Sequence, residues 1–253
     1  MGTADRVEAD GRLATFAIVM QTTPRSLRLL GTGFYLQPKG SFATAAHVAL
    51  EGQNLLAAKP NSVGIGHTLP DGRTLFRPIW KFFIHPTADV AFGVPGAEIV
   101  NDRTGETYRA KVLCLTGAAP DFGAAISTWA YPLHRLLGDE ATGQILQLQP
   151  TFYNGILQEF YSERGPSAKL MPPYYRTNIH LHGGSSGGPV FNLNGEVFGV
   201  ASCSYDGAED IAFVTPAKAL FEIEIPEKIG EGEDGAPIVT LREIAARGLI
   251  STR

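Results

Sequence analysis

The sequence predicts an all-β fold in two halves, and three observations carry that prediction. Short β-branched and aromatic runs recur about every 8–12 residues, bounded by turn formers. The chain holds 29 glycines and 17 prolines, enough to supply those turns. No long amphipathic helix and no alternation of strands with helices interrupts the pattern, which argues against a doubly wound sheet.

The composition is that of an ordinary globular chain. It has 253 residues, 44% hydrophobic and 18% charged. That length permits one large domain or two small ones. The net charge is -4 and no run of Lys or Arg forms a basic face, so nucleic acid is not an expected partner. The two cysteines, Cys114 and Cys203, are too few for a disulfide framework. The N-terminus carries Asp5, Glu8 and Asp10 and no apolar stretch, so no signal peptide is expected. Nor is there an apolar run of about 18 residues, so no membrane span is expected. These readings set the expectation of a cytoplasmic protein with reduced thiols.

In chain order, residues 13–20 read as a first strand and residues 29–36 as a second, with Gly31 and Gly33 marking close backbone approach. A turn follows at residues 37–40. Residues 41–48 begin extended, and their alanines suggest one short helical turn over 45–50. Residues 63–69 and 73–84 flank Pro70-Asp71-Gly72, a hairpin signal. Residues 89–94 give one more strand, and residues 95–107 read as a polar linker. In the second half, residues 108–116 and 124–131 read as strands. Residues 145–157 read as a hairpin around 151–155. Residues 174–182, 189–191, 196–203 and 211–214 complete the set. The tail differs. Residues 228–236 are acidic and Gly-rich, which suggests a flexible segment. Thr240 and Glu243 form a capping-box pattern and Gly248 a C-cap, which predicts a two-turn terminal helix. Its apolar residues Leu241, Ile244 and Ala245 share one face, suited to docking on the body or on a regulatory partner. The implied division is an extension over 1–12, halves over 13–100 and 101–225, and a tail over 226–253.

One stretch fits neither core nor helix: Gly183-Gly184-Ser185-Ser186-Gly187-Gly188-Pro189. Glycine costs roughly 1 kcal/mol in a helix interior and weakens strands. Such a run suits a backbone that turns tightly and presents N–H groups, with a serine hydroxyl beside them, as a nucleophile next to an oxyanion hole requires. The plain alternative is a Gly/Ser loop between strands. A serine needs a base, usually a histidine oriented by a carboxylate. All six histidines precede Ser186. That excludes the Ser, Asp/Glu, His order of the α/β-hydrolases, despite the Gly184-x-Ser186-x-Gly188 pattern.

The remaining order is His, Asp, Ser. His47 lies in Thr44-Ala45-Ala46-His47 and Asp89 in His85-Pro86-Thr87-Ala88-Asp89-Val90-Ala91. With Gly184-Ser185-Ser186-Gly187-Gly188-Pro189, these three motifs resemble those of trypsin/chymotrypsin-fold serine peptidases, closest to the bacterial trypsin-like and HtrA-type branch. Gly31-Thr32-Gly33-Phe34-Tyr35-Leu36 resembles the strand before the histidine, and Ile211-Ala212-Phe213-Val214-Thr215-Pro216 the last strand of the HtrA-type domain. The resemblance spans residues 13 to about 221, with the three motifs 42 and 97 residues apart.

The resemblance implies two six-stranded antiparallel β-barrels with the site between them. It implies Ser186 as nucleophile, His47 as general base and acid, Asp89 as its orienting carboxylate, and the N–H groups of Gly184 and Ser186 as the oxyanion hole. By the same carry-over, His180 lies near the S1 pocket, and Ser202, Cys203 and Ser204 line the strand that pairs with substrate. No cofactor or metal is implied, and the expected partner is a protein or peptide substrate. Ser185 departs from the aspartate of animal trypsins, which implies no N-terminal activation step. The loop over 133–144 or a bound partner is then the candidate to shape the oxyanion loop. No Asp marks the pocket base, so cleavage after Lys or Arg is not indicated. A small or medium apolar P1 is expected, with an acidic or Gln P1 favoured by His180 or His182 as the alternative. The segment after Pro226 is too short for a PDZ domain. The rival to a narrow or partner-regulated endopeptidase is a silent protease-fold module that grips an extended peptide.

Overall fold

The computed structural model describes residues 11–253 apart from 24–25, 69–73, 101–104, 106, 138–144, 164, 168–169, 205–209 and 231–232. The first half contains β1 (Thr15–Thr23), β2 (Ser26–Tyr35), β3 (Phe42–Thr44), α1 (Ala46–Ala58), β4 (Val63–Thr68), β5 (Thr74–Ile84) and β6 (Ala91–Pro95). Its strands pair antiparallel in the order β1-β2-β3-β6-β5-β4 and close into a barrel where Ile18 meets Ile65. Closure leaves no strand edge unpaired. Phe16, Tyr35, Phe42 and Phe82 fill its interior, packed ring against ring. Gly33 gives Phe16 its room: a Cβ there would lie 2.6 Å from the Phe16 ring.

The second half contains β7 (Ala125–Leu137), β8 (Ile145–Tyr161), β9 (Tyr174–Thr177), β10 (Pro189–Phe191), β11 (Val197–Ser204) and β12 (Ala212–Pro216). They close a second six-stranded barrel in the order β10-β11-β12-β9-β8-β7. The all-β, two-barrel fold expected from the sequence is therefore present. Between the barrels lies a shared core. Phe34, Leu36 and Phe92 of the first barrel meet Leu115, Val197 and Val200 of the second half there. No helix among the described residues is long and apolar enough to cross a membrane.

Several expectations need correction. The helical turn over 45–50 is the start of a 13-residue helix, α1. Its Ala, Leu, Glu and Gln content favours helix, and no proline intervenes before Pro60. It buries Val48, Ala49 and Gly52 against the barrel, with Gly52 lying against the Phe82 ring. Residues 108–116 form no strand. Their N–H groups go to scattered acceptors instead: Ala110 to Pro38, Lys111 to Leu13, Leu113 to Tyr35, Leu115 to Ser251 and Thr116 to Val197. An extended connector sewn to scattered acceptors has the alternation of a strand but, among the described residues, pairs only through isolated parallel bridges of Leu115 to Val197 and Thr252.

The hairpin expected around 151–155 is one continuous strand, β8, paired with β7 through Ile126↔Gly155 and Ala130↔Thr151. Gly155 marks close approach rather than a turn, since a Cβ there would lie 2.6 Å from Asn178 Oδ1. β9 ends at Thr177, so residues 178–182 leave the sheet and run into the Gly/Ser stretch. β4 and β5 pair as a hairpin, Thr68↔Thr74, but the Pro70–Gly72 signal falls outside the described residues.

The tail is tied down at several points. β13 (Glu224–Pro226) pairs with β14 (Ile238–Thr240) around the acidic stretch, and Glu233 within that stretch pairs with Lys81. Helix α2 (Leu241–Ala246) has both capping-box bonds between Thr240 and Glu243, and Gly248 takes φ 74° beyond it. Leu241 and Ile244 are buried in the inter-barrel core. The helix face read as able to receive a regulatory partner is thus already occupied by the body.

Candidate active site

The fold brings His47, Asp89 and Ser186 to one cleft of about 600 Å³ between the barrels. Each arrives by a different local device. His47 sits in the first turn of α1, where a helix leaves N–H groups without intrahelical partners. The N-cap residue, Ala45, has no side chain to satisfy them. Asp89 does so from another segment: its Oδ1 accepts the His47 backbone N–H at 3.0 Å. The same carboxylate lies 3.0 Å from His47 Nδ1 through both oxygens. An ionised carboxylate only accepts, so Nδ1 carries the proton and Nε2 keeps its lone pair. The Asp89 side chain is 11% exposed and that of His47 52% exposed. The carboxylate is therefore shielded while the imidazole faces the cleft.

Asp89 is held by a bend built on His85 and Pro86. His85 is buried, and its Nδ1 accepts the N–H groups of Thr87 at 3.2 Å and Ala88 at 2.8 Å. Its Nε2 then carries the proton and faces Glu222 Oε2 at 3.3 Å. The bend closes with His85 N–H to Val90 O. The His85-Pro86 pair was the available signal, since a histidine before a proline-led bend can cap it from within.

Ser186 lies in the turn between β9 and β10. The His182–Ser185 segment has the features of a type II turn: Ser185 N–H donates to His182 O at 3.0 Å and Gly184 takes φ 97°. Type II requires positive φ at that third position, which glycine tolerates. Gly187 takes φ 89° and donates its N–H to Ala201 O at 2.7 Å. Among the described residues, nothing accepts the N–H groups of Gly184 and Ser186. Two such N–H groups two residues apart, in a partly buried turn, are of the kind that suits an anion. The Ser186 hydroxyl donates to the Ser202 carbonyl at 2.9 Å, and not to His47.

The expected substrate-side residues separate into two groups. Ser202, Cys203 and Ser204 line the cleft, as does His182. His180 does not line it. It is half-buried behind His182, with its Nε2 3.2 Å from His182 Nδ1 and the two rings 3.9 Å apart. Tyr153 packs on both rings, and burial pushes its phenol above the usual value. Leu170 and Met171 also line the cleft, from a loop that carried no chemical signal in the sequence. The loop over 133–144, expected to shape the oxyanion turn, falls largely outside the described residues. Among the described residues, no group of three or more His, Cys, Asp or Glu could hold a metal, and neither Cys114 nor Cys203 is in a disulfide.

Two closed six-stranded barrels with a His–Asp pair facing a serine turn define the class of two-barrel serine peptidases. Comparison with known proteins agrees. Residues 31–200 match the model of the trypsin-like peptidase domain. The chain belongs to that trypsin-like peptidase family. A Do-like protease of Arabidopsis thaliana, Do-like 14, is 26% identical over 197 residues, covering 77% of this chain and 40% of the relative. A DegP-like serine endoprotease of Marinomonas sp. is 37% identical over 54 residues, covering 20% of this chain and 12% of the relative. The chain thus spans less than half the length of the curated relatives it matches. The active form of the Rv3671c protease from M. tuberculosis is similar in fold at TM-score 0.52 and 19% identity, covering 83% of this chain and 78% of that one. The HtrA-type protease AlgW, solved with a tripeptide, gives TM-score 0.53 and 16% identity, covering 82% and 57%. The domain is a trypsin-like peptidase domain, similar in fold to an HtrA-type protease.

Proposed function

We propose that this domain is an endopeptidase that cuts protein chains through His47, Asp89 and Ser186. The observation that carries the reading is His47 Nδ1 held by both oxygens of a shielded carboxylate, in the cleft that also holds Ser186. In this scheme the Ser186 hydroxyl rotates from the Ser202 carbonyl to His47 Nε2 as substrate enters. His47 takes the proton, Ser186 Oγ bonds to the scissile carbonyl carbon, and the carbonyl oxygen becomes an oxyanion. The N–H groups of Gly184 and Ser186 stabilise that charge; losing one such donor typically costs ~10²–10³ in rate. His47 then protonates the leaving amine. A water, deprotonated by the same imidazole, hydrolyses the acyl-enzyme. Asp89 stays ionised and steadies the imidazolium.

The cleft favours an extended peptide along Ser202, Cys203 and Ser204. Leu170, Met171 and Leu181 give it apolar walls, which suits a small or medium apolar P1. The placement of His180 behind His182 weakens its assignment as a direct P1 contact and leaves His182 as the one imidazole of the pair at the cleft. Narrow specificity or control by a partner is part of the proposal, since an unrestrained endopeptidase harms its own compartment.

A second reading, a silent peptide-gripping module, is favoured by one observation: the Ser186 hydroxyl rests on Ser202 rather than on His47. Incubation with a diverse peptide library, read by mass spectrometry, separates the two. Cleavage at a consistent P1 that disappears with Ser186→Ala supports the endopeptidase. Peptides retained but uncut by wild type support the module.

A further inference from the structure

The serine turn is gripped by one residue of the opposite barrel. We propose that the Thr32 hydroxyl is a positioning residue that sets the oxyanion hole; this rests on the reading of Ser186 as nucleophile. Thr32 is fully buried on β2, and every polar atom it has is engaged across or along the barrel interface. Its N–H donates to Ser186 O at 2.8 Å. Its hydroxyl donates to Gly184 O at 2.7 Å and accepts Tyr131 N–H at 3.0 Å. Its carbonyl accepts the Thr44 hydroxyl at 2.7 Å, three residues before His47.

The two grips on the turn fall on alternate residues. Thr32 holds the carbonyls of Gly184 and Ser186, whose own N–H groups have no partner among the described residues. The peptide group between Gly184 and Ser185 is held at both ends: Thr32 takes its carbonyl and His182 O takes its N–H. That plane separates the two oxyanion donors, so fixing it fixes their relative direction. The neighbouring Ser185 hydroxyl cannot share the task, because it is buried without a hydrogen-bond partner. Close approach is built into the strand as well. A Cβ at Gly31 would lie 2.8 Å from Ser186 O, and one at Gly184 would lie 2.6 Å from Tyr131 O.

Without the hydroxyl, Gly184 O and Tyr131 N–H both lose their partner. The turn is then free to exchange type II for type I geometry, which reverses the peptide carrying the Gly184 N–H. The chemistry at His47 and Asp89 is untouched by that exchange. The hydroxyl therefore acts through the turn and touches no reacting atom.

The test uses a fluorophosphonate probe, whose attack by Ser186 develops charge on a phosphonyl oxygen in the oxyanion hole. Labelling rates are measured for wild type, Thr32→Val, Thr32→Ser and Thr15→Val. The last removes a comparable buried hydroxyl, bonded to Gly11 O at 2.8 Å, away from the turn. Thr32→Val is expected to label ~10–10³ slower, the scale of a compromised oxyanion donor. Its pH profile keeps the wild-type midpoint, because the base is unchanged. Thr32→Ser and Thr15→Val are expected within about threefold of wild type. Should Thr32→Val lose its melting transition, Thr32→Cys against Thr32→Ser makes the same comparison, a thiol being a weak donor. Thr32→Val labelling as fast as Thr15→Val, or Thr32→Cys as fast as Thr32→Ser, overturns the proposal. Wild type that fails to label overturns the reading of Ser186 itself, and the proposal with it.

Discussion

Asp89→Asn isolates the tautomer of His47, and its effect can be worked from the hydrogen bonds. Asp89 Oδ1 serves two donors, the His47 backbone N–H and Nδ1, each at 3.0 Å, whereas Oδ2 faces Nδ1 alone. An asparagine must keep its oxygen on the backbone N–H, which can only donate. Its NH₂ then occupies the Oδ2 position and donates to Nδ1. The imidazole proton is forced onto Nε2, the atom that must accept the Ser186 proton. The shape and the number of hydrogen bonds are preserved, so the melting temperature should move by only a few degrees, about 1 kcal/mol or less in stability. The rate should not survive. A wrong tautomer in a Ser-His-Asp site costs ~10⁴ in turnover, about 5 kcal/mol of barrier. The assay is the second-order rate of fluorophosphonate labelling at neutral pH, with melting followed on the same samples. A folded Asp89→Asn chain that labels within about tenfold of wild type would refute the assignment of Asp89 as the residue that sets His47.

Other substitutions probe the surroundings. Ser185→Ala removes a buried hydroxyl that has no partner. It should leave stability unchanged or raise it by up to ~1 kcal/mol and leave labelling intact; a clear loss in either, by calorimetry or labelling rate, would give Ser185 a role that its geometry does not. Leu241→Ala empties a buried position in the inter-barrel core. It should cost ~2–5 kcal/mol and lower the melting temperature by roughly 4–20 °C, whereas a helix free for a partner would show almost no change. Gly187→Ala places a side chain at φ 89°, against the Thr32 carbonyl and the Thr44 hydroxyl. Strain and overlap together should cost ~2–5 kcal/mol, seen as a lower urea midpoint; an unchanged midpoint would show that the turn yields easily.

The two barrels were legible because strand periodicity and turn chemistry are local. β1, β2, β10 and β12 follow runs that no neighbouring residue contradicts. The misreadings share one cause: a local pattern was decided by distant partners. Residues 108–116 alternate as a strand does, yet their bonds go to acceptors scattered along the chain. Gly155 looked like a turn and instead admits Asn178. The alanines of α1 hinted at a helix, and packing of Gly52 on Phe82 extended it. His47, Asp89 and Ser186 were legible only through their motifs, since nothing in the spacing shows that two barrels bring them together. Thr32 stood in the quoted Gly31-Thr32-Gly33 stretch without a role. Its partners, Gly184, Ser186 and Tyr131, lie in the other half of the chain, where sequence proximity gives no sign of them.

The central claim is that Ser186 is a nucleophile activated by His47. The most direct measurement is mass spectrometry of the fluorophosphonate-treated chain, with the adduct located by peptide sequencing. One adduct is expected, on Ser186, absent from Ser186→Ala and strongly reduced in His47→Ala. An adduct on another residue, or labelling of Ser186 at the same rate without His47, would contradict it.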